Sequence, residues 1–406
     1  MDATTIRVRE PRELLALLPY QLGFRPERSA VAVALRPPRG RVGLIARVDL
    51  PDLADDDFGP QLARRLVTHL VGDGAARAVL VVYADADPRR PSGGDLAVAA
   101  SLSRVTPREP PGCVDPSEAA RAAHAVRHFR DAAGPFLGDV QVWVVTPDGY
   151  LSFDCTDPVC CPPGGRPLRD LQATEVGAHM VLAGAMVADS RETLVPDTPA
   201  GGPARRNATR AADRWRVRRA EAALAGPPWV ALWRSSGLRA WRTEVAAAMA
   251  GDVAARPAVL GRLNASLGDV VLRDAVLMTL IPGSAGLPEA SLGDAGPTAS
   301  TGEVAGTEIA SALSAIVGPD GGVPPDPDID AAASSVLERL VSHASSADRA
   351  PALTLLGLLA WWRGDGARAG VLLERALRAD PGHRLAHLLM DALAAGLAPG
   401  WVRAGR

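Results

Sequence analysis

The chain has 406 residues, 47% of them apolar and 22% charged, and a formal net charge of -2. It is too long for a single core and apolar enough for two or three, and its near-neutral balance offers no global attraction to nucleic acid or membrane. None of its 44 cations is a lysine, so Schiff-base chemistry and a lysine general base are excluded, and each of these charges is a planar arginine guanidinium.

The opening residues lack the basic segment and long apolar run of a signal peptide. The longest apolar runs, Val176–Ala188 and Ala352–Trp362, are interrupted or too short to span a bilayer. A cytoplasmic protein without membrane contact is therefore expected, one in which thiols stay reduced. Ile6–Val8 reads as a short strand and Pro11–Leu18 as a helix opened by proline. Ala30–Leu35 and Val42–Val48 read as strands, and Arg36-Pro37-Pro38-Arg39-Gly40 between them predicts a hairpin. Phe58–Val71 is an amphipathic helix with Leu62, Leu66, Val67 and Leu70 on one face, and Ala78–Tyr83 is a buried strand. Residues 85–115 are rich in Pro, Gly and Ser and read as loop, with a short helix at Asp95–Ser103 preceded by a weak anion-cradle signal, Ser92-Gly93-Gly94-Asp95. Pro116–Ala133 is a helix capped by Asp115. The turn Pro147-Asp148-Gly149 joins strands at Val140–Val145 and Tyr150–Phe153. Ala173–Ala188 and Ser190–Leu194 read as helix. This alternation predicts an α/β domain over residues 1–195, and its hairpins require a mixed sheet.

Residues 196–203 read as a linker, and beyond them no strand pattern appears. Helices are expected at Ala204–Ala225, Pro228–Ala250, Arg256–Leu280, Asp330–Ala344, Ala350–Trp362, Gly366–Ala379 and His383–Ala395. They make an all-α C-terminal domain: a helical region at 204–281, a mobile Gly/Pro/acidic loop region at 282–328 and a tetratricopeptide-like region at 329–406. In the last of these, Leu353, Leu356, Gly357, Ala360, Ala369, Leu373, Ala376 and Pro381 fall on the spacing of one tetratricopeptide repeat. One such unit needs neighbouring helices to cover its faces. Trp361, Trp362 and Arg375 are its candidate residues for binding a protein partner.

Charge is divided unevenly. The start of the helical region is arginine-rich, and Arg205, Arg206, Arg210 and Arg214 are candidates for contacting nucleic acid; solvated helix faces are the plainer alternative. Trp215 alone interleaves these arginines, so no stacking platform for single strands is evident. The tract 289–348 is acidic, with Glu289, Asp294, Glu303, Glu308, Asp320, Asp326, Asp328, Asp330, Glu338 and Asp348 against Arg339.

Chemistry concentrates in Cys155-Thr-Asp-Pro158-Val-Cys160-Cys161-Pro162-Pro163-Gly164-Gly165. Prolines stiffen this segment and remove amide donors. The thiols are candidate ligands for zinc or another soft metal, with Cys113 or a histidine as a fourth ligand, or candidate redox groups; no cofactor is required by the pattern. A rigid turn packed on the sheet is the plainer reading, because adjacent Cys160 and Cys161 diverge in extended backbone and need a special turn to share one ion. His124/His128 and His383/His387 each place two rings on one helix face, but no His-Glu-x-x-His pattern follows. A polar ligand pocket is expected where strands end, at Tyr20, Arg25, Ser29, Arg47 and Asp49, the alternative being an Arg47–Asp49 ion pair closing the strand. Phosphate loops and the Gly-x-Ser-x-Gly nucleophile turn are absent.

The segments Leu17-Leu18-Pro19-Tyr20-Gln21-Leu22-Gly23-Phe24-Arg25-Pro26, Ala46-Arg47-Val48-Asp49-Leu50-Pro51 and the cysteine loop resemble the actinobacterial domain of unknown function 4192 family. So do Ala360-Trp361-Trp362-Arg363-Gly364-Asp365-Gly366, Glu374-Arg375-Ala376-Leu377 and Asp380-Pro381-Gly382-His383. The resemblance implies no chemistry. In that family a glutamate usually follows the double proline, where Gly164 stands here, so a carboxylate at that position is missing. With no complete catalytic set visible, the expected function is non-enzymatic: binding or scaffolding through the helical tail, with a polar pocket in the α/β domain. A metal- or thiol-dependent enzyme or redox sensor built on the cysteine loop is the alternative.

Overall fold

The computed structural model describes residues 10–38, 40–89, 116–195, 198–252, 254–284, 286–292, 316 and 322–404. The expected strand Ile6–Val8, the segment Ser92–Ser103, Cys113, the cap Asp115, and Asp294, Glu303, Glu308 and Asp320 lie outside these. Contacts divide the chain into two compact units, 1–193 and 194–406.

The first unit is built on a five-stranded mixed sheet: β1 (Ser29–Arg36), β2 (Arg41–Asp49), β3 (Arg77–Tyr83), β4 (Gln141–Val145) and β5 (Tyr150–Ser152), in the order β2-β1-β3-β4-β5. β1 is antiparallel to both neighbours, β3 and β4 are parallel, and β5 returns antiparallel at the edge. The parallel step follows from placing a helix between β3 and β4, which carries the chain back across the sheet. Helices α1 (Pro11–Leu22), α2 (Leu50–Ala54), α3 (Gly59–Gly72), α4 (Pro116–Leu137), α5 (Arg169–Gln172) and α6 (Glu175–Leu182) complete the unit. Side chains alternate across each strand. Ala30, Ala32, Leu80, Val82, Val142 and Val144 join α2, α3 and α4 in one core, through Leu53, Leu66, Leu70 and Phe129. Val31, Val33, Val79 and Val81 point to the other face and are equally buried, so both sheet faces are covered. α1 and α6 pack on each other. Of the single helix expected at Ala173–Ala188, only α6 forms, over Glu175–Leu182, and α5 lies before it. Thr174 caps α6 by accepting from the Gly177 amide at 3.1 Å, and the chain then extends until Ala188 bridges Phe24.

The second unit is helical: α7 (Gly202–Ala225), α8 (Pro227–Met249), α9 (Pro257–Leu267), α10 (Val270–Met278), α11 (Leu287–Leu292), α12 (Pro327–His343), α13 (Ala350–Trp362), α14 (Gly366–Ala379), α15 (Arg384–Ala394) and α16 (Gly400–Ala404). One core runs through α7 to α14 and includes Trp215, Trp233, Trp241, Trp361 and Trp362. The single helix expected at Arg256–Leu280 is broken at Gly268-Asp269, because the Asp269 carboxylate takes the Leu272 amide (3.1 Å) and starts a new helix. The loop expected from 282 onward contains α11. α13 and α14 form a close hairpin: a Cβ on Gly357 would lie 2.9 Å from Leu373 and 3.5 Å from the Ala369 carbonyl oxygen. Among the described residues no helix is long and apolar enough to cross a membrane.

Candidate functional site

Residues at one end of the sheet pair in a continuous row: Asp49, Ser29, Tyr83, Val145, Tyr150 and finally Arg166. The cysteine loop hangs from the last of these. Arg166 and Tyr150 exchange both backbone hydrogen bonds, at 2.7 and 2.9 Å, which pins the segment leaving the cysteines to the sheet edge. Gly165, at φ +85°, is required there, since a Cβ would fall 2.8 Å from the Tyr150 backbone nitrogen and oxygen.

Within the loop the chain turns tightly. The Cys161 amide donates to the Asp157 carbonyl at 2.8 Å, and the Asp157 carboxylate accepts from the Val159 amide at 2.8 Å. That turn overcomes the divergence expected of adjacent cysteines: the sulfurs of Cys155, Cys160 and Cys161 all lie within 4.8 Å of one another. Cys161 is buried against the α4 side of the core, and its sulfur accepts from the Ser152 amide at 3.5 Å. Cys155 and Cys160 are half-buried. A tetrahedral zinc–thiolate site, with bonds of about 2.3 Å, places sulfurs about 3.8 Å apart, so contraction by at most about 1 Å converts the cluster into one face of such a site.

Two arginines brace the loop. Arg166 donates to the Cys160 carbonyl at 2.7 Å and to the Cys160 sulfur at 3.2 Å. Arg89 reaches from beyond β3 to the Cys155 carbonyl at 2.7 Å and is held by two hydrogen bonds of 3.1 Å to Asp87. Asp87 is buried and also accepts from the Gly164 amide at 3.4 Å. Burial opposes the ionisation of Asp87, but the hydrogen bonds from Arg89 outweigh it and hold its carboxyl below the usual range. The thiols differ. A backbone hydrogen bond at Asp157 and the neighbouring sulfurs draw Cys155 below the ordinary thiol range, whereas burial pushes Cys161 up. Nearby guanidinium groups favour thiolate, the form that binds metal or attacks a disulfide. The sequence reading missed Asp87 and Arg89. Their signal was an Asp-x-Arg following an apolar strand whose parallel neighbour ends at the same edge, where open sheets place ligands.

The strand-end group is separate. Arg47 donates to the Ser29 hydroxyl at 2.9 Å and pairs with Asp49 at 2.7 Å, so its guanidinium is spent within the fold. Tyr20 is half-buried and Arg25 is exposed; Arg25 joins the neighbourhood through its amide, which donates to the Ala188 carbonyl. A pocket beside it, lined by Arg28, Leu50, Pro51, Ala84, Asp85 and Arg121, holds about 10 Å³, room for one water. Asp49 and Arg166 are five strand spacings apart in the row, about 24 Å, so this end and the cysteine loop do not share one cleft.

His124 and His128 gather around Asp56, at 3.3 and 3.9 Å from its Oδ1, with Arg127 at 3.5 Å. The buried His128 ring also bonds the Leu53 carbonyl at 2.9 Å. In the helical unit Trp361 and Trp362 are buried, and their indole nitrogens donate to the Leu397 and Val323 carbonyls. Arg375 is half-buried. Arg206, Arg210 and Arg214 are exposed and Arg205 is half-buried. Trp215, expected to interleave with them, is instead buried and stacked on Trp233 at 5.3 Å. Part of the acidic tract is consumed in ion pairs: Glu289 with Arg242, Asp330 with Arg363, Glu338 with Arg368, and Asp348 with Arg216.

No curated protein and no solved structure matches the chain. The family described as Domain of unknown function (DUF4192) matches residues 11–321 and 326–400. With nearly its whole length matched, the chain belongs to this family.

Proposed function

We propose that the first unit is a soft-metal-binding module in which Cys155, Cys160 and Cys161 hold a zinc or cuprous ion as thiolates. The observation that carries this reading is the convergence of three sulfurs within 4.8 Å, achieved by a turn that reverses the natural divergence of adjacent residues. Arg89 and Arg166 support it by offsetting thiolate charge while leaving the sulfurs free to coordinate. The test is elemental analysis and thiol titration of the purified chain after zinc supplementation and gel filtration. About one metal per chain is expected, with thiols that react only after chelation, and the metal content should fall at least tenfold in a Cys155→Ser/Cys160→Ser variant. Freely reactive thiols and no retained metal would sink the reading, and a reversible disulfide found in their place would move the site to the redox class.

A second reading, a scaffold for a protein partner, is favoured by a cavity of about 780 Å³ between α10, α13 and α15, lined by Leu277, Leu358, Trp361, Leu385, Leu388 and Leu389 among others. Leu388 is 63% exposed, an apolar side chain that an amphipathic helix of a partner would cover. Leu388→Asp leaves the buried core untouched. It should abolish capture of such a partner while leaving the melting temperature within about 2 °C; unchanged capture would remove the tail as the recognition surface.

A further inference from the structure

Several arginines of the helical unit are paired with an acid. Arg219 and Arg234 share Asp269, Arg216 has Asp213 and Asp348, and Arg242 has Glu289. Three others gather without one. The Arg262 guanidinium lies 4.0 Å from the centre of the Trp215 ring and that of Arg218 lies 5.8 Å from the same ring. Arg262 is fixed further by its Nη2, which donates to the Ser236 carbonyl at 2.8 Å and to the Ser236 hydroxyl at 2.5 Å. Arg239 follows Ser236 by three residues on α8, which brings it to the same helix face. Burial lowers the Arg262 pKa, and the charges of Arg218 and Arg239 lower it further, so Arg262 lies within electrostatic reach of both. None is paired with a carboxylate among the described residues. Arg218 and Arg239 are exposed and come from different helices, while Arg262 comes from a third.

An uncompensated cationic cluster destabilises the fold that holds it, and the arrangement is stabilised by an anion that three guanidinium groups can share. We infer that Arg218, Arg239 and Arg262 form a binding site for a phosphoryl group, with Arg262 as the fixed floor and the other two as arms that close on it. A phosphoryl dianion fits better than a carboxylate, because it offers three acceptor oxygens and twice the charge to planar donor forks. The site stands independently of the cysteine loop.

Calorimetric titration of the full chain with pyrophosphate at low salt tests it, with a single-stranded RNA oligonucleotide as a second probe. Saturable one-to-one pyrophosphate binding and a raised Tm are expected. Affinity should fall at least tenfold in Arg218→Gln/Arg239→Gln and stay unchanged in Arg206→Gln/Arg210→Gln. Both replaced residues of the first pair are exposed, and removing like charges should leave its ligand-free Tm equal to or above that of the parent. Failure of pyrophosphate to bind saturably overturns the site. So does an equal loss in the two double variants, for either probe, which would mark a diffuse polyanion surface whose affinity follows salt alone.

Discussion

Replacing Asp269 by alanine is expected to destabilise the helical unit by about 3 kcal/mol, the lower end of the cost of breaking a buried ion pair. The lower end applies because Arg219 and Arg234 keep partial access to water, at 32% and 19% exposure, whereas Asp269 is 9% exposed. This carboxylate accepts from Arg219 (3.1 Å), Arg234 (2.9 and 3.2 Å) and the Leu272 amide (3.1 Å). It therefore neutralises two charges and starts α10 at once. Asp269→Asn keeps the cap and should recover about 1 kcal/mol. Burial opposes ionisation of Asp269, but hydrogen bonds from Arg234 and Leu272 outweigh it and hold the carboxyl below the usual range. Its contribution is thus fully present above the ordinary carboxylate range and is lost as pH falls through its depressed folded-state value. Urea unfolding should show the gap between parent and Asp269→Ala closing only in strong acid. A gap below about 1 kcal/mol at neutral pH would refute this account.

Gly165→Ala is expected to scatter the thiol cluster while the sheet survives. An L-residue at φ +85° costs about 1–2 kcal/mol, and the added Cβ strikes the Tyr150 backbone at 2.8 Å, so the two hydrogen bonds between Tyr150 and Arg166 must lengthen. The total cost should reach about 3 kcal/mol, confined to the β5 edge. Because Arg166 also anchors Cys160, the sulfurs lose their common focus, and zinc affinity should fall at least tenfold. Gly184→Ala is the control: φ is +75° but nothing lies within 4 Å of its Cβ, so only the conformational cost of about 1 kcal/mol should appear. Equal zinc retention and equal thiol reaction rates in the two variants would show that the edge pairing does not organise the cluster.

The behaviour of these two sites shows where sequence reasoning stopped. Asp269 lies inside a stretch whose apolar spacing reads as one long helix. Only the arrival of Arg219 and Arg234 from other helices makes its carboxylate worth burying. Similarly, three cysteines in seven positions announced a cluster, yet local geometry predicted that two of them would diverge. The Asp157 turn, which the prolines permit but do not encode, reversed that expectation. Asp87 and Arg89 were missed because the loop groups they hold, Gly164 and Cys155, are 77 and 66 positions away. Trp215 looked like an outlying aromatic among arginines until Trp233 and Arg262 enclosed it.

Some of the protein was nevertheless fixed locally. Short alternating or continuous apolar runs gave β1 to β4, helical apolar spacing gave α1, α3, α4 and most helices of the second unit, and small residues at Gly357, Ala369 and Ala376 gave a close hairpin. These features depend on side chains within a few positions of one another, so the order of the residues suffices. Strand order, the row that links Asp49 to Arg166, the separation of the two candidate sites and the choice of which arginines keep an acid were decided only by tertiary structure. Each of them depends on pairing across long loops, where the energy comes from burying faces together rather than from any local preference.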